Sequence, residues 1–134
     1  MKQLEVAGAI LVRDGKILCA QRGEGKYDYT SYKYEFPGGK LEEGETPKEA
    51  LHRELIEEMD IDIKIDDMKT YCVVEHRYRD FEIRMYAFLC PMDSDKITLK
   101  VHVDAKWLAP ERLKELDWAG ADWPIVKELE VGGI

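Results

Sequence analysis

The chain is expected to fold as an α/β sandwich, a mixed central sheet with one helix on each face, and three stretches support this. Residues 6–12 and 17–20 are two nearly continuous apolar runs, and the Arg13-Asp14-Gly15-Lys16 between them supplies a two-residue hairpin turn. Residues 47 to about 59 carry the marks of a capped amphipathic helix. Residues 69–78 and 81–90 read as two antiparallel strands about a turn near Arg79-Asp80, closed by Pro91.

The other elements follow in order. Gln21-Arg22 ends the second strand, and residues 23–33 form a polar loop long enough to act as a rim or lid. Tyr27, Tyr29, Tyr32 and Tyr34 alternate with other residues, which suits aromatics packing on one side of an extended segment. Tyr34-Glu35-Phe36 is a short strand that delivers the chain to Pro37-Gly38-Gly39-Lys40. At the helix start Thr46 caps, Pro47 fills the first helical position, and Glu49 completes a capping box. Beyond the helix, residues 61–65 alternate as a half-buried strand does, and residues 97–103 are a further strand candidate. Pro110 opens a short helix over residues 111–116, and a last amphipathic helix runs from residue 125 to about 130. No repeat, linker or low-complexity segment interrupts this order, so residues 1–134 read as one domain.

The central helix concentrates the chemistry. Glu54, Glu57 and Glu58 stand at i, i+3 and i+4 and share one face, while Leu51, Leu55 and Met59 form a neighbouring apolar stripe. Each like-charge pair costs a few tenths of a kcal/mol, and carboxylates at a helix C-terminus oppose its dipole by roughly 0.3–1 kcal/mol apiece. A helix selected for stability alone avoids this arrangement. Clustered hard oxygens are what Mg²⁺ takes, with water and substrate phosphate filling the rest of its shell, and a nearby glycine lets a backbone carbonyl join them. Arg53, four residues before Glu57, is placed to fix one carboxylate.

Composition narrows the partners. A 134-residue chain with 45% hydrophobic residues builds one real core, and a net charge of −8 argues against stable nucleic-acid binding. The first residues lack a signal-like apolar run and no later stretch has bilayer-spanning length, so a soluble, cytoplasmic protein is expected. Cys19, Cys72 and Cys90 lie far apart in apolar runs and read as reduced, buried residues without zinc-site spacing.

Gly39, Glu45 six residues on, and Arg53-Glu54-Leu55-Ile56-Glu57-Glu58 resemble the Nudix box, and Glu35-Phe36-Pro37-Gly38 looks like the segment that leads into it in MutT-type members. The resemblance covers nearly the whole chain and implies the same α/β/α sandwich. It implies hydrolysis of a (deoxy)nucleoside triphosphate to the monophosphate and pyrophosphate, oxidised or modified nucleotides included, in a nucleotide-pool role linked to DNA repair. It also implies Mg²⁺ or Mn²⁺ held by Glu54, Glu57, Glu58 and the Gly38 carbonyl, with Arg53 orienting a carboxylate. Arg22 and Lys40 are candidates for phosphate charge, Glu35 and Tyr78 for lining the substrate site, and Asp122 for reading the nucleobase edge. An ionised Asp122 only accepts hydrogen bonds, which favours the donor-rich edges of cytosine or guanine; the competing reading makes it the cap of the last helix.

Two departures stand out. Asp60 replaces the glycine that usually follows the paired glutamates, and Val101 stands where MutT-like relatives carry a glutamate six residues before the tryptophan at 107. The base that deprotonates water is then expected to be a box glutamate, Glu54 first. Hydrolysis of a nucleotide sugar or dinucleotide is the alternative within the enzyme class. A non-catalytic nucleotide-binding regulator is the rival outside it, and the intact Arg53, Glu54, Glu57 and Glu58 count against that rival. A monomer or homodimer is expected.

Overall fold

Asp14 (φ 51°) and Gly15 (φ 74°) both take the left-handed conformation, and this pair turns β1 (Lys2–Arg13) back into β2 (Lys16–Gln21). The computed structural model describes residues 2–134. From the hairpin the chain passes through β3 (Tyr34–Glu35), β4 (Gly38–Lys40), α1 (Pro47–Met59), β5 (Lys69–Arg77), β6 (Phe81–Pro91), β7 (Asp104–Leu108) and α2 (Trp123–Gly132). The seven strands form one mixed sheet. β1 runs parallel to β6 along its whole length, from the pair Lys2 and Phe81 to the pair Val12 and Pro91.

The opposite edge of β1 is shared. β2 pairs with it at Val12 and Arg13, and β4 pairs antiparallel with Val6–Gly8. The Ala9 N–H bonds the Pro37 carbonyl at 2.7 Å between the two. β2 in turn carries β3 and, at residues 17–21, β7. Splitting the central strand's edge in this way brings the glycine strand beside the middle of the sheet.

Successive β1 residues serve opposite faces. Ile10 joins Met85, Ile125, Val126 and Leu129 in the core beneath α2, whereas Ala9 and Leu11 join Leu51, Leu55 and Met59 beneath α1. Each fully buried leucine or methionine of α1 contributes about 1.5–3 kcal/mol, which outweighs the few tenths lost to each repelling carboxylate pair. The capping box is formed: Thr46 Oγ1 accepts the Glu49 N–H at 3.2 Å, and Glu49 Oε1 accepts the Thr46 N–H at 2.9 Å. No helix among the described residues is long and apolar enough to cross a membrane.

The expected elements need four corrections. Residues 61–65 are not a strand: Ile61 and Ile63 are buried under α1 as their alternation implies, yet no strand lies alongside to pair with them, and Ile65–Asp67 is a 3₁₀ turn. Residues 97–103 are not a strand either. They cross the end of α1, where the Thr98 and Lys100 N–H groups bond the Met59 and Glu58 carbonyls at 3.1 and 3.2 Å, satisfying acceptors a helix terminus leaves open. The strand in this region is β7, which begins where that crossing ends. The short C-terminal helix is the 3₁₀ segment Pro110–Glu115, and α2 starts two residues before the expected 125.

Asp60 ends α1 in the left-handed conformation (φ 55°, ψ 34°), and its carboxylate meets Lys100 Nζ at 2.7 Å. An exposed pair of this kind contributes little. Asp60→Gly is therefore expected to leave stability equal or raise it, while Asp60→Ala lowers it by about 1 kcal/mol because alanine pays the left-handed backbone cost without local hydrogen bonding. Urea unfolding of the two variants checks this; an Asp60→Ala protein as stable as Asp60→Gly would show that the backbone at Asp60 is not strained.

Candidate active site

Gly38, at φ 154°, pairs with Gly8 so closely that a Cβ would overlap the Ala7 carbonyl oxygen. A Cβ on Gly39 would overlap the Glu54 carboxylate. Two glycines in β4 thus let the acidic face of α1 rest directly on strand backbone.

Arg53 ties that contact together. Its guanidinium donates to Glu45 at 2.8 and 2.9 Å, to Glu54 at 2.9 Å, to Glu57 at 3.2 Å and to the Lys40 carbonyl at 3.0 Å. Hydrogen bonds from Arg53, with help from the Glu42 N–H, hold the Glu45 carboxyl down to about 2. The Arg53 pKa rises in return, with the Glu45 hydrogen bonds the largest cause.

Glu58 lacks such help. Burial pushes its carboxyl up to about 7, Glu35 and Glu54 push the same way, and His102 and the Gly38 N–H only partly offset them. Its Oε1 is buried with no hydrogen-bond partner among the described residues. An orphaned, desolvated carboxylate oxygen beside Glu54 is costly unless a cation or proton joins it. Among the described residues no three His, Cys, Asp or Glu side chains converge as a ready-made cluster. Mg²⁺ does not require one, since it binds through one or two carboxylates and keeps water and phosphate oxygens. Glu54, Glu58 and the neighbouring Gly38 therefore fit a hard divalent cation. Glu57 is more exposed and bound to Arg53.

Glu54 and Glu58 line a cleft of about 680 Å³. Its floor is Leu4, Val6 and Gly8 of β1 with Ile83 and Met85 of β6, and its walls include Arg22, Glu35, Lys40, Tyr78, His102 and Asp122. The expected site residues are thus gathered in or beside one cavity, with Arg53 and Glu57 on the outer side of the helix face. The Arg22 guanidinium donates from one terminal nitrogen to Glu35 at 3.0 Å, and its Nε is buried without a partner among the described residues. The Tyr78 ring stacks on Tyr29 at 5.5 Å, and its hydroxyl accepts the Ala121 N–H at 2.9 Å. Burial raises that phenol to about 12.

Asp122 stands at the N-cap position of α2, as the competing reading has it, but its side chain makes no capping bond. It is 3% exposed, and its Oδ1 accepts the Phe36 N–H at 3.0 Å. Burial, reinforced by Glu35, pushes its carboxyl well above the usual range. An ionised carboxyl only accepts hydrogen bonds, whereas the neutral form that burial favours both donates and accepts.

Sequence reading passed over two residues here. Glu45 was noted only as part of the box, though it is the chief partner of Arg53. His102 has no sequence motif around it, yet its Nε2 lies 2.8 Å from Glu35 Oε2. The signal was its position beside Val101, the residue where a glutamate was missed. Val101 itself is 61% exposed.

Comparison with known proteins agrees with this geometry. A NUDIX domain family model matches residues 1–129. The CTP pyrophosphohydrolase of Escherichia coli K12 is 35% identical over 130 residues, covering 95% of this chain and 91% of that protein. The 8-oxo-dGTP diphosphatase of the same organism is 29% identical, covering 97% and 98%. The solution structure of the DNA mismatch repair protein MutT from methicillin-resistant Staphylococcus aureus 252 aligns with a TM-score of 0.70 at 38% identity, covering 99% of this chain and all of that one. The chain belongs to the Nudix family, as a hydrolase of the MutT type.

Proposed function

We propose that the protein hydrolyses a (deoxy)nucleoside triphosphate to the nucleoside monophosphate and pyrophosphate, with Mg²⁺ or Mn²⁺, and that oxidised or modified nucleotides are among its substrates. The observation that carries this reading is that one cleft is lined both by the α1 carboxylates Glu54 and Glu58 and by Asp122 and Tyr78. The triphosphate is placed with its phosphates toward Glu54 and Glu58 and its base toward Asp122.

Glu54, Glu57, Glu58 and the Gly38 carbonyl are assigned to holding the cation, which when bound neutralises phosphate charge and lowers the pKa of water. Glu54 takes a proton from the attacking water as its oxygen bonds to phosphorus and the bond to pyrophosphate breaks. Arg53 keeps Glu54 oriented. Arg22 and Lys40 meet phosphate charge, Glu35 fixes Arg22, Tyr78 forms a wall beside the base, and Asp122, whose neutral form burial favours, exchanges hydrogen bonds with its edge. A panel of nucleotides headed by CTP and 8-oxo-dGTP, the substrates named for the relatives, tests the reading by phosphorus NMR. Monophosphate and pyrophosphate from a triphosphate support it; cleavage of nucleotide sugars or dinucleotides alone would replace it with the alternative.

Glu57→Gln and Glu58→Gln are expected to abolish cation-dependent turnover without unfolding the protein, and Glu54→Gln to lower kcat by roughly 10²–10⁴. Full turnover by Glu54→Gln would move the base elsewhere.

Metal-free stability has a calculable direction. The Glu58 carboxyl holds its proton more tightly in the fold than in the unfolded chain, so its share of stability falls as pH rises from 4.5 to about 7 and then levels off. Buried Asp122 acts in the same direction. Melting temperature in chelator is expected to be raised by Glu58→Gln at pH 8 and hardly changed at pH 5; a drop at pH 8 would contradict the buried, cation-starved carboxylate.

Asp122→Asn keeps a neutral donor and acceptor and is expected to retain KM within a few-fold. Asp122→Ala should raise KM for good substrates by the about 1–3 kcal/mol of one base contact. A KM raised as much in Asp122→Asn as in Asp122→Ala would mean that the ionised form reads the base.

A further inference from the structure

Residues 97–103 cross the end of α1 with their backbone pinned at both ends. Thr98 and Lys100 are bonded to the helix carbonyls, and the Val103 N–H bonds the Gln21 carbonyl at 3.0 Å, next to Arg22. Between the pins the two side chains part: Val101 is largely exposed, whereas the His102 side chain is 1% exposed and enters the cleft wall. Its Nε2 lies 2.8 Å from Glu35 Oε2, and since a carboxylate only accepts, His102 donates. The second oxygen of Glu35 accepts from Arg22 at 3.0 Å. The chain of contacts ends on the Arg22 Nε, buried and unpartnered among the described residues.

We propose that His102 is a positioning residue of the substrate site, holding Glu35 and, through Glu35, fixing the Arg22 guanidinium at the cleft wall to receive an anionic oxygen of the nucleotide. The proposal rests on the reading of the cleft as a nucleotide site. Arg22 has a long side chain whose rotamer freedom is lost on binding, and an arginine already held loses less at that moment. With Val101 in place of a carboxylate, the crossing segment reaches the cleft through two side chains, Val101 and His102, and His102 is the polar one.

Kinetics of His102→Ala, His102→Gln and the same changes in a Glu35→Ala background test this. His102→Ala is expected to raise KM for the triphosphate about tenfold with kcat little changed, the loss of one charge-assisted hydrogen bond. His102→Gln, whose amide N–H still reaches Glu35, should recover most of it, and in Glu35→Ala neither change should matter further. Independently of turnover, the Arg22 Nε–H resonance is expected to stay distinct in wild type and His102→Gln and to collapse onto exposed-arginine signals in His102→Ala. Unchanged KM, failure of glutamine to rescue, additivity with Glu35→Ala, or an unmoved Arg22 resonance would each overturn the proposal. Should His102→Ala fail to fold, His102→Asn, too short to reach Glu35, replaces it. Should wild type cleave no triphosphate, the proposed function falls and the Arg22 resonance alone decides the positioning role.

Discussion

The Arg53 clasp is the interaction on which the rest of the site depends. One guanidinium binds two carboxylates of its own helix, Glu54 and Glu57, together with Glu45 of the preceding loop and the carbonyl of Lys40 at the end of β4. The loop, the glycine strand and the acidic helix are thereby fixed to one another at the point where the substrate phosphates are proposed to lie. Any one such pair near the surface contributes about 0–1 kcal/mol, so the clasp matters as a planar fork that sets several directions at once. Lysine, a point charge on a flexible stem, cannot reproduce that geometry. The Arg53 hydrogen bonds hold the Glu45 carboxyl down to about 2, so this one arm of the clasp is favoured in its charged form well into acid.

Against this satisfied cluster stands an unsatisfied one a turn away. Glu58 is half-buried with an orphaned oxygen, Glu54 lies close by, and the helix is held in place by Leu51, Leu55 and Met59 on the neighbouring stripe of α1. The hydrophobic face supplies several kcal/mol, enough to carry an electrostatic arrangement that would melt an isolated helix. The same trade recurs at another part of the cleft wall, where Asp122 is buried deeply enough to favour its neutral form. Both places are costly to the empty protein, and the proposed ligands are a cation at the first and a base edge at the second.

Much of this was legible in the sequence because it is local. The Asp14-Gly15 turn, the Thr46 and Glu49 capping box and the carboxylate spacing of α1 each depend on residues within a few positions of one another. What could not be read depends on partners far along the chain. The alternation of Ile61, Ile63 and Ile65 is genuine for the first two, but being a strand requires a neighbour to pair with, and none lies there. β7 was missed because its register is set by β2, more than eighty residues earlier, and not by an apolar pattern of its own. The ionisation of Asp122 followed from depth of burial against Phe36 and Glu35, and the importance of His102 from a contact spanning 67 residues.

The central claim is that the face of α1 is held ready for a divalent cation. Titration of Mn²⁺ into the metal-free protein, with free ion followed by its electron paramagnetic resonance signal, tests it most directly. The account requires saturable binding that weakens strongly in Glu58→Gln and tightens when a non-hydrolysable triphosphate analogue is added. Mn²⁺ uptake that is equal in wild type and Glu58→Gln, or indifferent to the nucleotide, would contradict it.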